Sequence, residues 1–147
     1  MVKEWKSNEI RILVPSNLDW LSVVDRAIEG LLEPVTISEE DANAISISIA
    51  EAGTNAVQHG LGEKSARPVE FSFMVCDNEF RAIVRDWGPG FDIDQVLEKD
   101  PTSPEGLLAP RGRGIFIMKS LMDEVSFKIV ENEGCWVSLS KSWQESC

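Results

Sequence analysis

The sequence predicts an α+β fold, a two-layer sandwich of three helices on a mainly antiparallel mixed sheet. Three observations carry this. Apolar residues recur at helical spacing in three stretches, the longest about 20 residues long, above the ~11–12 average for globular helices. Short runs rich in β-branched and aromatic residues lie between them. The order β-α-α-β-β-loop-α-β-β separates helices from hairpin-linked strands instead of alternating them.

Each element has a local reason. Glu9 to Val14 is a short strand stopped by Pro15. Ser16 with Asp19 makes a capping-box pattern, after which Leu21, Val24, Ile28, Leu31 and Leu32 recur at helical spacing until Glu33-Pro34. Ser38 caps the second helix, with Glu39, Glu40 and Asp41 favourably placed against its dipole. Ile45, Ile49, Ala52 and Ala56 form its apolar stripe, and Gly60 and Gly62 end it. Val69 to Cys76 and Glu79 to Arg85 form a hairpin across Asp77-Asn78. From Asp92 to Arg111 the chain holds Pro101, Pro104, Gly106 and Pro110 with little periodicity, and reads as a lid. Gly112-Arg113-Gly114 opens a third helix with Ile115, Met118, Leu121 and Met122 as its apolar face. Glu124 to Val130 and Trp136 to Lys141 are the last strands, turned by Asn132-Glu133-Gly134.

Composition narrows the class. At 147 residues the chain can bury its own core and reads as a single domain, 1–147. With 25 acidic and 14 basic residues the net charge is -11, which repels nucleic acid and anionic lipid, so neither is an expected partner. Cys76, Cys135 and Cys147 are widely spaced and form no CxxC pair, and His59 is the only histidine. Neither a disulfide framework nor a zinc site is expected. The start, Met1 to Lys6, lacks the apolar core of a signal peptide, and no apolar run is long enough to span a bilayer. A cytoplasmic protein is expected.

Three patterns carry chemistry. Glu51, Asn55 and His59 are spaced four apart, which stacks them along one line of the second helix beside its apolar stripe. The Asn oxygen suits Mg²⁺, and a Glu one turn earlier could deprotonate a hydroxyl. Taken alone, such a line reads first as a solvated flank. Asp86-x-Gly88-x-Gly90 follows a strand directly. Its Asp can accept a hydrogen bond from an exocyclic amine such as that of adenine; a plain glycine turn is the other reading, in which Trp87 and Phe91 simply pack. Arg111-Gly112-Arg113-Gly114-Ile115 opens a helix, where free N–H groups make an anion site. It is neither a Walker loop nor a dinucleotide fingerprint, and a solvated basic turn is its bland reading.

In this order, Glu51 to His59, Asp86 to Phe91 and Gly112 to Met118 resemble the N, G1 and G2 boxes of the GHKL ATPases. Within them, Glu-Ala-x-Thr-Asn-Ala-Val-x-His and Gly112-Arg113-Gly114-Ile115-Phe116-Ile117-Met118 are similar to the anti-sigma factor serine/threonine kinases. The resemblance runs from about Ile10 to Lys141 and implies the ATP-binding fold of that superfamily. It implies that Asn55 holds Mg²⁺ against ATP and that Glu51 is the general base. It further implies that Asp86, Gly88 and Gly90 form the adenine site, and that Arg111, Gly112, Arg113, Gly114 and Ile115 bind the nucleotide beneath a lid at about 92–111. His59 reads as a hydrogen-bonded residue at the helix end. A family threonine near the last strand is replaced here, in the run Gly134-Cys135-Trp136-Val137, and Gly60 stands where Ala is common.

The implied function is an anti-sigma factor that phosphorylates an anti-sigma-factor antagonist in a partner-switching system controlling transcription. Implied partners are a sigma factor or other regulated protein, the antagonist as substrate, and a second copy in a homodimer. Two alternatives share the fold: a nucleotide-gated binder that transfers no phosphate, and a switching kinase with a non-sigma target. A histidine kinase needs an acceptor histidine on a dimerisation helix, whereas His59 lies in the N box; a gyrase-like clamp needs a further transducer domain. Glu51 favours catalysis over plain binding.

Overall fold

Alternation of apolar and polar side chains builds the sheet. The computed structural model describes residues 8–60, 65–91 and 110–144, with backbone alone at 110 and 111. Strands β1 (Glu9–Val14), β2 (Val69–Cys76), β3 (Glu79–Asp86), β4 (Glu124–Val130) and β5 (Gly134–Ser142) form one sheet in the order β1-β2-β3-β5-β4. All four neighbouring pairs are antiparallel, which corrects the expected mixed sheet. Tight turns explain two of the pairings: Asp77 and Asn78 take φ of 52° and 60° between β2 and β3, and Asn132 takes 65° between β4 and β5. Such turns return the chain antiparallel.

One face of the sheet is the core. Phe71 pairs with Val84 and Phe73 with Ala82, and these four are buried with Phe80, Val137 and Leu139. The Phe71 and Phe73 rings lie 6.1 Å apart and Phe73 and Phe80 6.0 Å apart. Each buried aromatic contributes about 1.5–3 kcal/mol relative to an exposed one.

Three helices cover that face: α1 (Leu21–Leu32), α2 (Glu39–His59) and α3 (Pro110–Leu121). Val24, Ile28 and Leu32 bury the stripe of α1; Ile45, Ile49, Ala52 and Ala56 bury that of α2; Ile115, Met118 and Met122 bury that of α3. Ser38 Oγ accepts the Asp41 N–H at 3.1 Å, the cap expected for α2.

Several boundaries differ from the sequence reading: β3 runs on to Asp86, and β5 spans Gly134–Ser142 instead of Trp136 to Lys141, taking Gly134 from the turn. Ser16 is buried, and the cap is its neighbour: Asn17 Oδ1 accepts the Asp19 N–H at 2.9 Å and starts a short 3₁₀ turn, Leu18–Trp20, ahead of α1. Asn is as good a cap as Ser and stands one residue closer. Helix α3 begins at Pro110, two residues before Gly112, because Pro is well suited to a first helical position. The expected lid at 92–111 therefore loses its last two residues to α3, and the rest of it lies outside the described residues, as does Gly62.

Candidate nucleotide-binding site

The site forms where α3 starts against the middle of α2. A Cβ built on Gly114 would stand 3.0 Å from Glu51 Oε2, 3.0 Å from Asn55 Nδ2 and 3.4 Å from Asn55 Oδ1. Any side chain there would press on both polar groups. The four-residue spacing of Glu51 and Asn55 thus becomes a half-buried polar pair under the first turn of a neighbouring helix. In that turn Pro110 has no N–H to offer, and the backbone donors of Arg111 and Gly112 lie too early in the helix to find an i−4 carbonyl within it. Unspent donors and the positive end of the dipole suit an anion. Arg113 is exposed, whereas Ile115 is buried and forms a wall.

The second part is the turn after β3. Asp86 is the last residue of β3, and its Oδ1 accepts the Gly88 N–H at 2.8 Å. Gly88 packs on the end of α2: a Cβ there would lie 2.6 Å from the Gly60 Cα. Gly90 has φ +77°, and its Cβ would meet Ile129 Cγ2 at 2.6 Å, so conformation and space both demand glycine. Burial pushes the Asp86 carboxyl above the ordinary carboxylate range, and the Gly88 hydrogen bond opposes that shift.

A narrow pocket joins the two parts. Asn55, Ala56, Asp86, Phe91, Ile115 and Cys135 line it. Its volume is about 10 Å³, room for about one water, so a purine enters only if the walls part. Phe91 meets Phe127 edge-on at 5.4 Å, and both line the pocket. Cys135 stands directly opposite Asp86 in the β3–β5 register and is buried. A larger hollow of about 490 Å³ lies on the other face of the sheet, lined by Ser72, Ser138, Ser140 and carboxylates such as Glu9 and Glu79. Strand alternation separates that face from the Glu51, Asn55 and Asp86 set, so size does not mark the chemistry here.

The structure therefore brings Glu51, Asn55, Asp86, Gly88, Gly114 and Ile115 to one region, with Gly112 and Arg113 at its helix start. The Arg111 side chain lies outside the described residues. His59 is the last residue of α2, and its Nε2 is buried with no hydrogen-bond partner among the described residues, so that atom does not make the hydrogen bond expected at the helix end. Among the described residues no three His, Cys, Asp or Glu side chains gather as a metal cluster. Asn55 presents a single hard oxygen beside a carboxylate, which fits Mg²⁺, an ion that takes few protein ligands and keeps phosphates and water. Sequence reasoning missed Phe127 as a pocket wall and the Trp136 ring as a neighbour of the Asp86 turn; no local pattern announces either.

A three-helix layer on an antiparallel sheet, with an acid–amide pair meeting a glycine-rich helix start, defines a nucleotide-binding ATPase domain. Residues 14–141 match the histidine kinase-like ATPase domain family, and the chain belongs to it. Among curated proteins it is similar to the serine-protein kinase RsbW of Bacillus licheniformis, at 32% identity over 90% of this chain and 84% of the relative. It is also similar to the serine-protein kinase RsbW of Bacillus velezensis, at 29% identity over the same shares of 90% and 84%. Solved structures share the fold. One contains RsbU and RsbW domains from Mycobacterium tuberculosis, with TM-score 0.64 and 17% identity, covering 92% of this chain and 32% of that longer one. Another is the SiaB–SiaC complex of Pseudomonas aeruginosa, with TM-score 0.62 and 12% identity, covering 91% of this chain and 88% of its counterpart. No described helix is long and apolar enough to cross a membrane.

Proposed function

We propose that this chain is an ATP-dependent protein serine/threonine kinase and anti-sigma factor. It works in the cytoplasm as a homodimer, phosphorylates a small antagonist protein, and binds a sigma factor or other regulated protein when that antagonist is unavailable to it. Residues 1–147 act as one ATP-binding kinase domain. The kinase names of the curated relatives support this reading. The observation that carries it is the closeness of Gly114 to both Glu51 and Asn55, which supports reading the two as a base and a magnesium ligand beside an anion-binding helix start.

Each residue has one task in this reading. Asp86 accepts a hydrogen bond from the adenine amino group, in a pocket shaped by Gly88 and Gly90 and walled by Ile115. The backbone of Arg111 and Gly112 donates to phosphate oxygens, Arg113 adds its charge, and Gly112 and Gly114 let the phosphates approach. Asn55 would hold Mg²⁺, which when bound neutralises phosphate charge. Glu51 takes the proton of the acceptor hydroxyl as its oxygen bonds to the γ-phosphorus and ADP leaves. Phosphoryl transfer depends mainly on positioning and charge stabilisation, and these parts supply both.

A pull-down from the native cytoplasm, with ADP in one arm and ATP in the other, tests this. Mass spectrometry should find a sigma factor or other transcription regulator in one eluate, and a small protein carrying phosphoserine or phosphothreonine in the ATP arm. Nucleotide-dependent capture without any phosphorylated partner would instead favour a binder that transfers no phosphate.

A further inference from the structure

Around the Asp86 turn, five side chains from four separate segments stack as a ladder of alternating cations and indoles. The Arg85 guanidinium carbon lies 3.6 Å from the Trp87 ring centroid and 4.4 Å from that of Trp136. Arg67 stacks on Trp87 at 4.3 Å, and the Lys128 ammonium lies 5.6 Å from Trp136. Arg85 and Lys128 both face Trp136 in the strand register, one from β3 and one from β4. Arg85 Nη2 also donates to the Glu133 carbonyl at 2.9 Å, tying the β4–β5 turn to the end of β3.

This is not an ordinary solvated patch. Arg85 Nε is buried with no hydrogen-bond partner among the described residues, so this edge of the central cation faces rings instead of water. Arg tolerates that exchange better than Lys, since its planar guanidinium is weakly hydrated and stacks on indoles. Among the described residues no carboxylate pairs with Arg67, Arg85 or Lys128.

The ladder grips both sides of the adenine acceptor. Arg85 precedes Asp86 and Trp87 follows it, so the stack fixes the backbone on either side of that one residue. The start of β5 closes the third side: a Cβ on Gly134 would overlap the Asp86 carbonyl oxygen. The Gly88 N–H then sets the carboxylate itself. We propose that Arg85, held between Trp87 and Trp136, is a positioning residue that presets Asp86 for the nucleobase. This rests on the ATP-site reading above. Arg85, Trp136 and Lys128 form one cross-strand row on the sheet face away from Asp86 and the helices, so the proposal concerns nucleotide binding and not the transfer step.

The test compares Arg85→Gln, Arg85→Lys and the outer-rung Arg67→Gln with wild type, using calorimetric titration of MgATP, kinase KM and kcat, and thermal melting. Arg85→Gln should bind MgATP about 5- to 30-fold more weakly, the range expected for one or two lost cation–π contacts. KM for ATP should rise accordingly, with kcat at saturating ATP within about twofold of wild type. Arg85→Lys should recover part of the affinity, and Arg67→Gln, which loses one exposed rung, should fall by about two- to fivefold. Wild-type affinity in both glutamine variants would overturn the proposal. So would a loss in kcat with unchanged KM. If wild type itself binds no MgATP, the ATP-site reading fails and not the ladder alone.

Discussion

Gly114 on α3 lies against Asn55 on α2 so closely that a single methyl would come within 3.0 Å of the Asn55 amide nitrogen. The same methyl would stand 3.0 Å from Glu51 Oε2. One glycine thus sets the distance between the polar pair and the anion-binding end of α3.

Gly114→Ala should therefore separate folding from binding. Ala gains up to about 1 kcal/mol of helix propensity, while crowding at a packed contact costs about 1–3 kcal/mol. The net change in stability should be small, a shift of a few degrees in melting temperature. MgATP affinity should fall at least about tenfold, because relief comes most easily by turning Asn55 or Glu51 aside. Unchanged affinity in calorimetry would show that the pair does not serve the nucleotide.

Asn55→Ala should abolish the magnesium dependence of nucleotide binding. Titrating ATP with excess Mg²⁺ and again with excess chelator should give two different affinities in wild type and one weak affinity in the variant. A preserved magnesium effect would remove Asn55 from the metal site.

Asp86 makes a prediction with a defined sign. Burial raises its folded-state pKa above the ordinary 3.8. The folded state therefore holds that proton more tightly than the unfolded chain does. The stabilising effect is full below the unfolded pKa and is lost as pH rises through the folded value. At neutral pH the buried carboxylate is a cost, and Asn in its place can still accept the Gly88 N–H. Asp86→Asn should melt no lower than wild type at pH 7, with the difference shrinking as pH falls toward 4. Nucleotide affinity, which needs the charged acceptor, should drop in the variant at neutral pH; in wild type it should weaken on acidification earlier than an ordinary carboxylate would cause. A variant that melts lower at pH 7 and recovers in acid would contradict the assignment.

The elements that were legible in the sequence are those set by local pattern. Val69–Cys76 matches the expected strand to the residue, because Val69, Phe71 and Phe73 alternate with Glu70 and Ser72 and Asp77-Asn78 supplies the turn. The stripe Ile45, Ile49, Ala52 and Ala56 is buried as its spacing implies. Local competition hid the 3₁₀ turn ahead of α1, which Asn17 caps, one residue after Ser16. At α3, Pro110 reads as loop in a proline-rich stretch but serves as the first helical residue. What the sequence could not show is register. Arg85, Lys128 and Trp136 come from distant segments, and only the pairing of β3, β4 and β5 stacks them, while Arg67, ahead of β2, joins through Trp87. The contact of Gly114 with Glu51 is likewise a helix–helix distance that no spacing along one helix encodes.

The central claim is that Glu51 is the base of a protein kinase, and Glu51→Ala tests it directly. MgATP affinity and the rate of phosphate transfer to the captured antagonist should be measured on the same preparation. The account predicts affinity within about threefold of wild type and transfer slowed by about 10²- to 10⁴-fold, the usual contribution of a positioned general base. Transfer at the wild-type rate in this variant would contradict it.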